Sequence, residues 1–378
     1  MQIKSAHPTF SEKDIEAILQ DCGKVLRSGR LILGPFTEEF EQLFRAYVGT
    51  SFAIAVNSCT TALQITLQYF DIKGREVIVP TNTFLASANA VLYAGGTPVF
   101  ADIEDQWLSL SPESLSRKIT SRTKAVILVH IGGMISPHLD EIRHICRSKG
   151  LLLIEDASHA HGARFADKLA GNLGDAACFS FYPTKVMTTM VGGIITTHDQ
   201  GLDSFARSLR HHGQTDRTLD VLTRLGNDWL LDEIRSVIGI HQVRQLEDMV
   251  ARRNQLAARY RERLRDLELA HCILVPDHMR HAYYKFLFLL DKRVERDKLV
   301  YNLNERHGIE AGVLYYPPCH LQPIVKETFR TKEGDLPVAE AVLKREVCLP
   351  MHMQLTEDDV DHVIEALREE LPSSLLKP

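Results

Sequence analysis

The sequence predicts an α/β fold with a mostly parallel sheet, and three observations carry that expectation. Between Thr60 and Thr197, short β-branched apolar runs alternate with stretches of helical period. Several runs, such as Val77-Ile78-Val79 and Leu151-Leu152-Leu153-Ile154, are apolar throughout, as strands buried on both faces are. Polar clusters follow the runs, at the carboxyl edge where open α/β sheets bind their ligands.

Taken in order, strands are expected over 76–80, 98–102, 123–129, 151–155, 176–181 and 193–197, with helices over 61–70, 85–94 and 138–148. Strands alternating with helices imply right-handed crossovers and a sheet covered by helices. The stretch 232–268 is long, rich in Arg, Leu and Gln, and poor in breakers, which suits a helix linking two domains. A strand over 285–290, a turn at Tyr316-Pro317-Pro318 and a final helix over 357–371, opened by Thr356, complete the chain. The expected division is a large domain over 1–250 and a smaller one over 251–378.

Composition narrows the function. The 378 residues are 44% hydrophobic and 25% charged, the balance of an ordinary soluble globular protein. A net charge of −5 offers no basic excess for nucleic acid. No apolar run approaches the ~20 residues of a membrane span, and the first residues lack the apolar core of a signal peptide. Seven scattered cysteines without a Cys-x-x-Cys pair argue against a disulfide framework or structural zinc, and for the reducing cytoplasm.

Three clusters carry candidate chemistry. Asn57-Ser58-Cys59-Thr60-Thr61 opens a helix whose free N–H groups suit an anion; ordinary capping by Ser58 or Thr60 explains the same residues. Ile154-Glu155-Asp156-Ala157-Ser158-His159-Ala160-His161-Gly162 puts an acid at a strand end; a capping acid with surface histidines is the plainer version. His159 and His161 are two apart, which disfavours a shared metal, and no metal site is expected. Cys178-Phe179-Ser180-Phe181-Tyr182-Pro183-Thr184-Lys185, followed by Gly192-Gly193, puts a lysine among aromatics. A desolvated amine there would have a lowered pKa and a free lone pair for Schiff-base chemistry; singly, a surface lysine fits as well. No Gly-x-Gly-x-x-Gly, P-loop or Gly-x-Ser-x-Gly is present.

In order and spacing these clusters resemble the DegT/DnrJ/EryC1/StrS family of pyridoxal-phosphate-dependent sugar aminotransferases. The resemblance also takes in Ser28-Gly29-Arg30-Leu31-Ile32-Leu33-Gly34-Pro35, Glu76-Val77-Ile78-Val79-Pro80, Asn89-Ala90-Val91-Leu92-Tyr93-Ala94-Gly95, His320-Leu321-Gln322-Pro323 and Cys348-Leu349-Pro350. It implies a three-layer α/β/α large domain of fold type I, a smaller C-terminal α/β domain, and a homodimer with active sites at the interface. It further implies that Lys185 holds pyridoxal phosphate (PLP) as a Schiff base and moves the proton. Asp156 would pair with the ring nitrogen, keeping the ring an electron sink. His159 would lie beside the ring's 3′-oxygen, Phe84 would stack on the ring face, and Thr60, Thr61 and Ser180 would bind the phosphate. The substrates implied are a keto-sugar, nucleotide-linked such as a keto-deoxyhexose, and glutamate or glutamine as amino donor. Alternatives are a keto-cyclitol substrate, a sugar dehydratase of the same fold, expected to lack the lysine, and a degenerate non-catalytic member. The chain departs from the family pattern at Asp228, Leu230, Val191 and Leu314; an ionised Asp228 in place of the family's Asn would repel the partner subunit's phosphate, so either Asp228 points away or neighbouring Asn227 substitutes.

Overall fold

The computed structural model describes residues 2–216 and 221–376. Seven strands form the central sheet: β1 (Phe52–Val56), β2 (Glu76–Pro80), β3 (Thr97–Ala101), β4 (Thr123–Val129), β5 (Leu152–Asp156), β6 (Ala176–Ser180) and β7 (Gly193–Thr197). Their spatial order is β1-β7-β6-β5-β4-β2-β3. Strands β3, β2, β4, β5 and β6 run parallel, while β7 is antiparallel to both β6 and β1. The sheet is therefore mostly parallel, with one reversed strand. The expected strands are present to within a residue at each end. The additional strand β1 lies just before the alternating region, in a five-residue apolar run that periodicity does not separate from a helix end.

Alternation along the strands divides the apolar side chains between two layers. Ala53 and Ala55 of β1 enter a core with Phe40 and Phe44 of α2 (Pro35–Val48; α1 is Glu12–Ser28). Ile54 and Val56 enter another, with Leu63 and Leu67 of α3 (Cys59–Tyr69). The first layer also takes α5 (Pro112–Lys118) and α6 (Leu139–Ser148); the second takes α4 (Ala86–Tyr93) and α7 (Gln200–Leu209). Helices on both faces of the sheet make three layers.

The long helix α8 (Glu233–Leu264) is opened by Asp232, whose side chain accepts from the Arg235 N–H at 2.8 Å. Its first residue, Glu233, is buried and accepts the N–H groups of Gly34, Phe36 and Thr37 at 2.9–3.0 Å, which would otherwise be orphaned at the start of α2. A Cβ at Gly34 would sit 2.5 Å from that carboxylate, so a side chain there would displace it. Along α8, Ile240, Leu246 and Val250 pack in the sheet's core, and Leu256, Tyr260 and Leu264 pack in a separate one.

That separate core belongs to a smaller C-terminal α/β unit. An antiparallel sheet of β8 (Ala270–Cys272), β9 (Phe286–Leu290) and β10 (Glu346–Leu349) packs against α9 (Arg296–His307) and α10 (Glu357–Ser373). Thr356 caps α10 in a reciprocal pair with Asp359. Ile3 also packs in this core and bridges to Ile309.

Candidate active site

The carboxyl ends of β1, β2, β5 and β6 open onto one cavity of about 460 Å³. Beyond β1, Ser58 caps α3, its hydroxyl accepting from the Thr61 N–H at 3.1 Å. The Thr61 hydroxyl donates to Asn57 Oδ1 at 2.8 Å, so both polar groups of Thr61 are committed to the cap. Thr60 instead lines the cavity. The reversed strand β7 approaches this helix end closely: a Cβ on Gly193 would lie 2.4 Å from the carbonyl carbon of Ser58. Glycine alone permits that approach.

At the end of β5, neighbouring acids have opposite fates. Glu155 is fully buried and accepts from the N–H groups of Gly171, Leu173 and Gly174 at 2.7–3.0 Å, holding a loop beneath the sheet. Asp156 lines the cavity. Its Oδ2 accepts from the Ser87 hydroxyl at 2.7 Å and its Oδ1 from the Ser158 N–H at 3.2 Å. Ser87 in turn bonds the Thr83 hydroxyl at 2.8 Å. His159 is buried in the cavity wall, stacked on Tyr284 at 4.3 Å between ring centroids. Burial first, and then the Lys185 charge, hold its pKa well below the ordinary 6.5, so the ring is neutral. His161 packs on Phe179 and Phe181, away from its neighbour, and the two histidines share no ligand position.

Beyond β6, the turn Tyr182–Lys185 closes through the Lys185 N–H, which donates to the Tyr182 carbonyl at 3.0 Å. The Lys185 ammonium lies 4.5 Å from the centroid of the Tyr284 ring. Burial pushes its pKa down to about 8, against an opposing pull from Asp156. Ser180 lines the same cavity. Phe84, beyond β2, is 61% exposed at the rim.

The structure thus gathers Thr60, Phe84, Asp156, His159, Ser180 and Lys185 around one cavity. Thr61 stays in the cap behind it. Asn227 is exposed outside the cavity, its Oδ1 accepting from the Asp228 N–H at 2.8 Å. Sequence reasoning missed Ser87, Tyr284 and Tyr315. Ser87 sits in the first turn of an expected helix, but nothing local marks it as a carboxylate's partner. Tyr284 precedes an expected strand and Tyr315 follows the Leu314 departure, and both reach the cavity from the C-terminal unit.

The sequence profile of the DegT/DnrJ/EryC1/StrS aminotransferase family matches residues 12–368. The chain belongs to this family. It is 36% identical over 366 residues to the spore coat polysaccharide biosynthesis protein SpsC of Bacillus subtilis, covering 93% of each chain. It is 36% identical over 342 residues to the GDP-perosamine synthase of Caulobacter vibrioides, covering 89% of this chain and 90% of that one. Among solved structures, DesV of S. venezuelae superposes with a TM-score of 0.91 at 32% identity, covering 97% of this chain and 98% of the other.

As a member of the DegT/DnrJ/EryC1/StrS family, the chain is a PLP-dependent aminotransferase of the α/β fold seen in those neighbours. The donor set suits that cofactor: an amine with a pKa of about 8, a buried carboxylate facing the same space, and a helix N-terminus cleared by Gly193. Of the four departures from the family pattern, Val191 lines the cavity. Leu314 is buried, its N–H donating to both oxygens of Glu346 at 3.1 and 3.2 Å. Asp228 is exposed and Leu230 half-buried, both outside the cavity wall.

Proposed function

We propose that the chain transfers an amino group to a nucleotide-linked keto-sugar, with glutamate or glutamine as donor. The single observation behind this reading is that the Lys185 amine and the Asp156 carboxylate face one cavity. The name of GDP-perosamine synthase supports a nucleotide-linked substrate.

The residue roles proposed here are those the family resemblance implies, and the geometry supports them. Lys185 holds the cofactor and then moves a proton. With its pKa lowered to about 8, roughly one amine in ten is neutral at pH 7, against fewer than about one in a thousand at an ordinary lysine value. When bound, PLP supplies the carbonyl carbon that takes up the amine and the ring that draws off the electron pair. Asp156 pairs with the ring nitrogen, its carboxylate oriented by Ser87 and the Ser158 N–H. Thr60, Ser180 and the start of α3 take the phosphate, with Thr61 shaping that helix end through Asn57 and Ser58. Phe84 covers the ring, adding apolar area and fixing its orientation. His159 closes the wall beside Asp156.

The working unit is a homodimer. Leu31, Ile32, Phe84, Tyr93, Tyr182 and Met190 are exposed apolar side chains, Phe84 and Tyr182 of them lining the cavity, and apolar exposure at a site rim suits a protein interface. In that assembly Asn227, outside its own cavity, contacts the phosphate held by the other subunit. The boundary between large and small domains lies near residue 250, where α8 passes from one core to the other. The compartment is the cytoplasm, which suits the seven free cysteines; among the described residues no helix is long and apolar enough to cross a membrane.

The test is the absorbance of the protein with PLP, before and after L-glutamate or L-glutamine. Loss of the long-wavelength band with growth of a pyridoxamine band is the expected result. A band that ignores every donor would instead favour the degenerate member, with Val191 and Leu230 the first residues to revert.

A further inference from the structure

We propose that Tyr315, and not His159, presents the hydrogen-bond donor to an oxygen acceptor in the cavity, and that His159 is the residue that aims it. The proposal rests on the cofactor reading of this cavity.

The two nitrogens of His159 have distinct partners. The Gly132 N–H points at Nδ1 at 3.2 Å, which makes that nitrogen an acceptor. The ring is buried beside Lys185 and neutral, so its one proton sits on Nε2. Nε2 is 2.9 Å from the Tyr315 hydroxyl and therefore donates to it. His159 then has no proton left to offer the cavity. The Tyr315 oxygen, having accepted one hydrogen bond, keeps its own proton, because burial raises its pKa well above the ordinary tyrosine value. Among the described residues, no second partner takes that proton, and the ring lines the cavity 5.7 Å from Phe84.

The backbone supports this aim. Tyr315 has φ +62°, a left-handed conformation that a bulky residue rarely adopts and that persists where its surroundings impose it. The preceding N–H, of Leu314, is held by Glu346, and the ring is stacked at 5.7 Å on His159. The hydroxyl is thus delivered from the C-terminal unit to a position fixed by the β4–β5 edge.

The acceptor is an anionic or carbonyl oxygen, supplied either by the cofactor ring or by the incoming keto substrate. Tyr315→Phe distinguishes them. In the first arm the holoprotein, without substrate, is titrated by its visible band and its PLP affinity is measured. If the ring oxygen is the acceptor, loss of the donor destabilises the anionic form. The midpoint then rises by about one pH unit, and PLP binds about fivefold more weakly. In the second arm the pyridoxamine form is reacted with 2-oxoglutarate. If the substrate oxygen is the acceptor, kcat/KM falls about tenfold while the first arm stays unchanged.

Either result supports the proposal when His159→Phe reproduces it, the double variant is no worse than either single one, and His159→Gln, which keeps a donor toward Tyr315, stays near wild type. Wild-type behaviour of Tyr315→Phe in both arms overturns it, as does independent addition of the two single effects. Failure of the wild-type protein to hold PLP is a different outcome and defeats the reading of the cavity.

Discussion

The cavity has two walls of different origin. One is the carboxyl edge of the central sheet, where Asp156 and Ser180 end their strands and Thr60 and Lys185 follow theirs by a few residues. Asp156 is held there by the nearby Ser158 N–H and by Ser87, 69 residues away, and Thr61 behind the wall by Ser58. The other wall is aromatic, made of Tyr284 and Tyr315 from the C-terminal unit. Its contacts span the chain: Tyr315 meets His159 across 156 residues and Thr184 meets Tyr284 across 100. On the proposed reading the sheet wall carries the reacting groups, while the aromatic wall sets their orientation.

If that division holds, substitutions in the sheet wall abolish chemistry and those supporting the aromatic wall alter its tuning. The largest effect is expected from Lys185→Ala. Turnover falls by at least about 10⁴-fold, because the same amine holds the cofactor and moves the proton. The visible band of the bound cofactor is lost, and a full band in this variant would put the attachment elsewhere. Asp156→Ala comes next. The donor half-reaction, followed by stopped-flow absorbance, slows by about 10²–10³-fold while PLP stays bound, since the lost charge acts mainly on the later stage. A near-normal rate would remove Asp156 from its role.

The smallest effect falls on the aromatic wall's support. Glu346 is buried, and burial pushes its pKa up to about 7 from an ordinary 4.5. The folded protein thus binds more protons than the unfolded chain between these values. The stability this group contributes is fully present below about pH 4.5 and lost as pH rises through about 7. Glu346→Gln is expected to flatten that pH dependence and to exceed wild-type stability above pH 7 by about 1–3 kcal/mol. Urea unfolding at pH 5 and pH 8 measures it; an unchanged pH slope would exclude a raised pKa at Glu346.

Much of the sheet wall was legible beforehand because its signals are local. An apolar run ending in a polar residue marks both the strand and the edge where that residue lies. The segments 154–162 and 178–185 thus place an acid and Lys185 at strand ends without any contact being known, whereas the choice of Asp156 and the inclusion of Ser180 come only from the family resemblance. The same reasoning included Thr61, whose N–H and hydroxyl are taken up by the cap. Adjacent hydroxyl residues at a helix start look alike in sequence, and only the turn geometry decides which one faces the cavity.

Strand order shows the same limit. Alternating runs foretell a sheet, yet the reversal of β7 and its insertion between β1 and β6 follow from packing between distant segments. Local period, capping residues and strand-end polarity determine the element types, the sheet's buried character and the chemistry available at its edge, because each depends on neighbours a few residues away. The tertiary structure alone decided that Glu155 braces a loop while Asp156 faces the cavity, that Gly193 clears the start of α3, and that Tyr284 and Tyr315 complete the wall. Those outcomes depend on burial and hydrogen bonds between residues distant in sequence, and for Tyr284 and Tyr315 on the C-terminal unit packing beside the sheet.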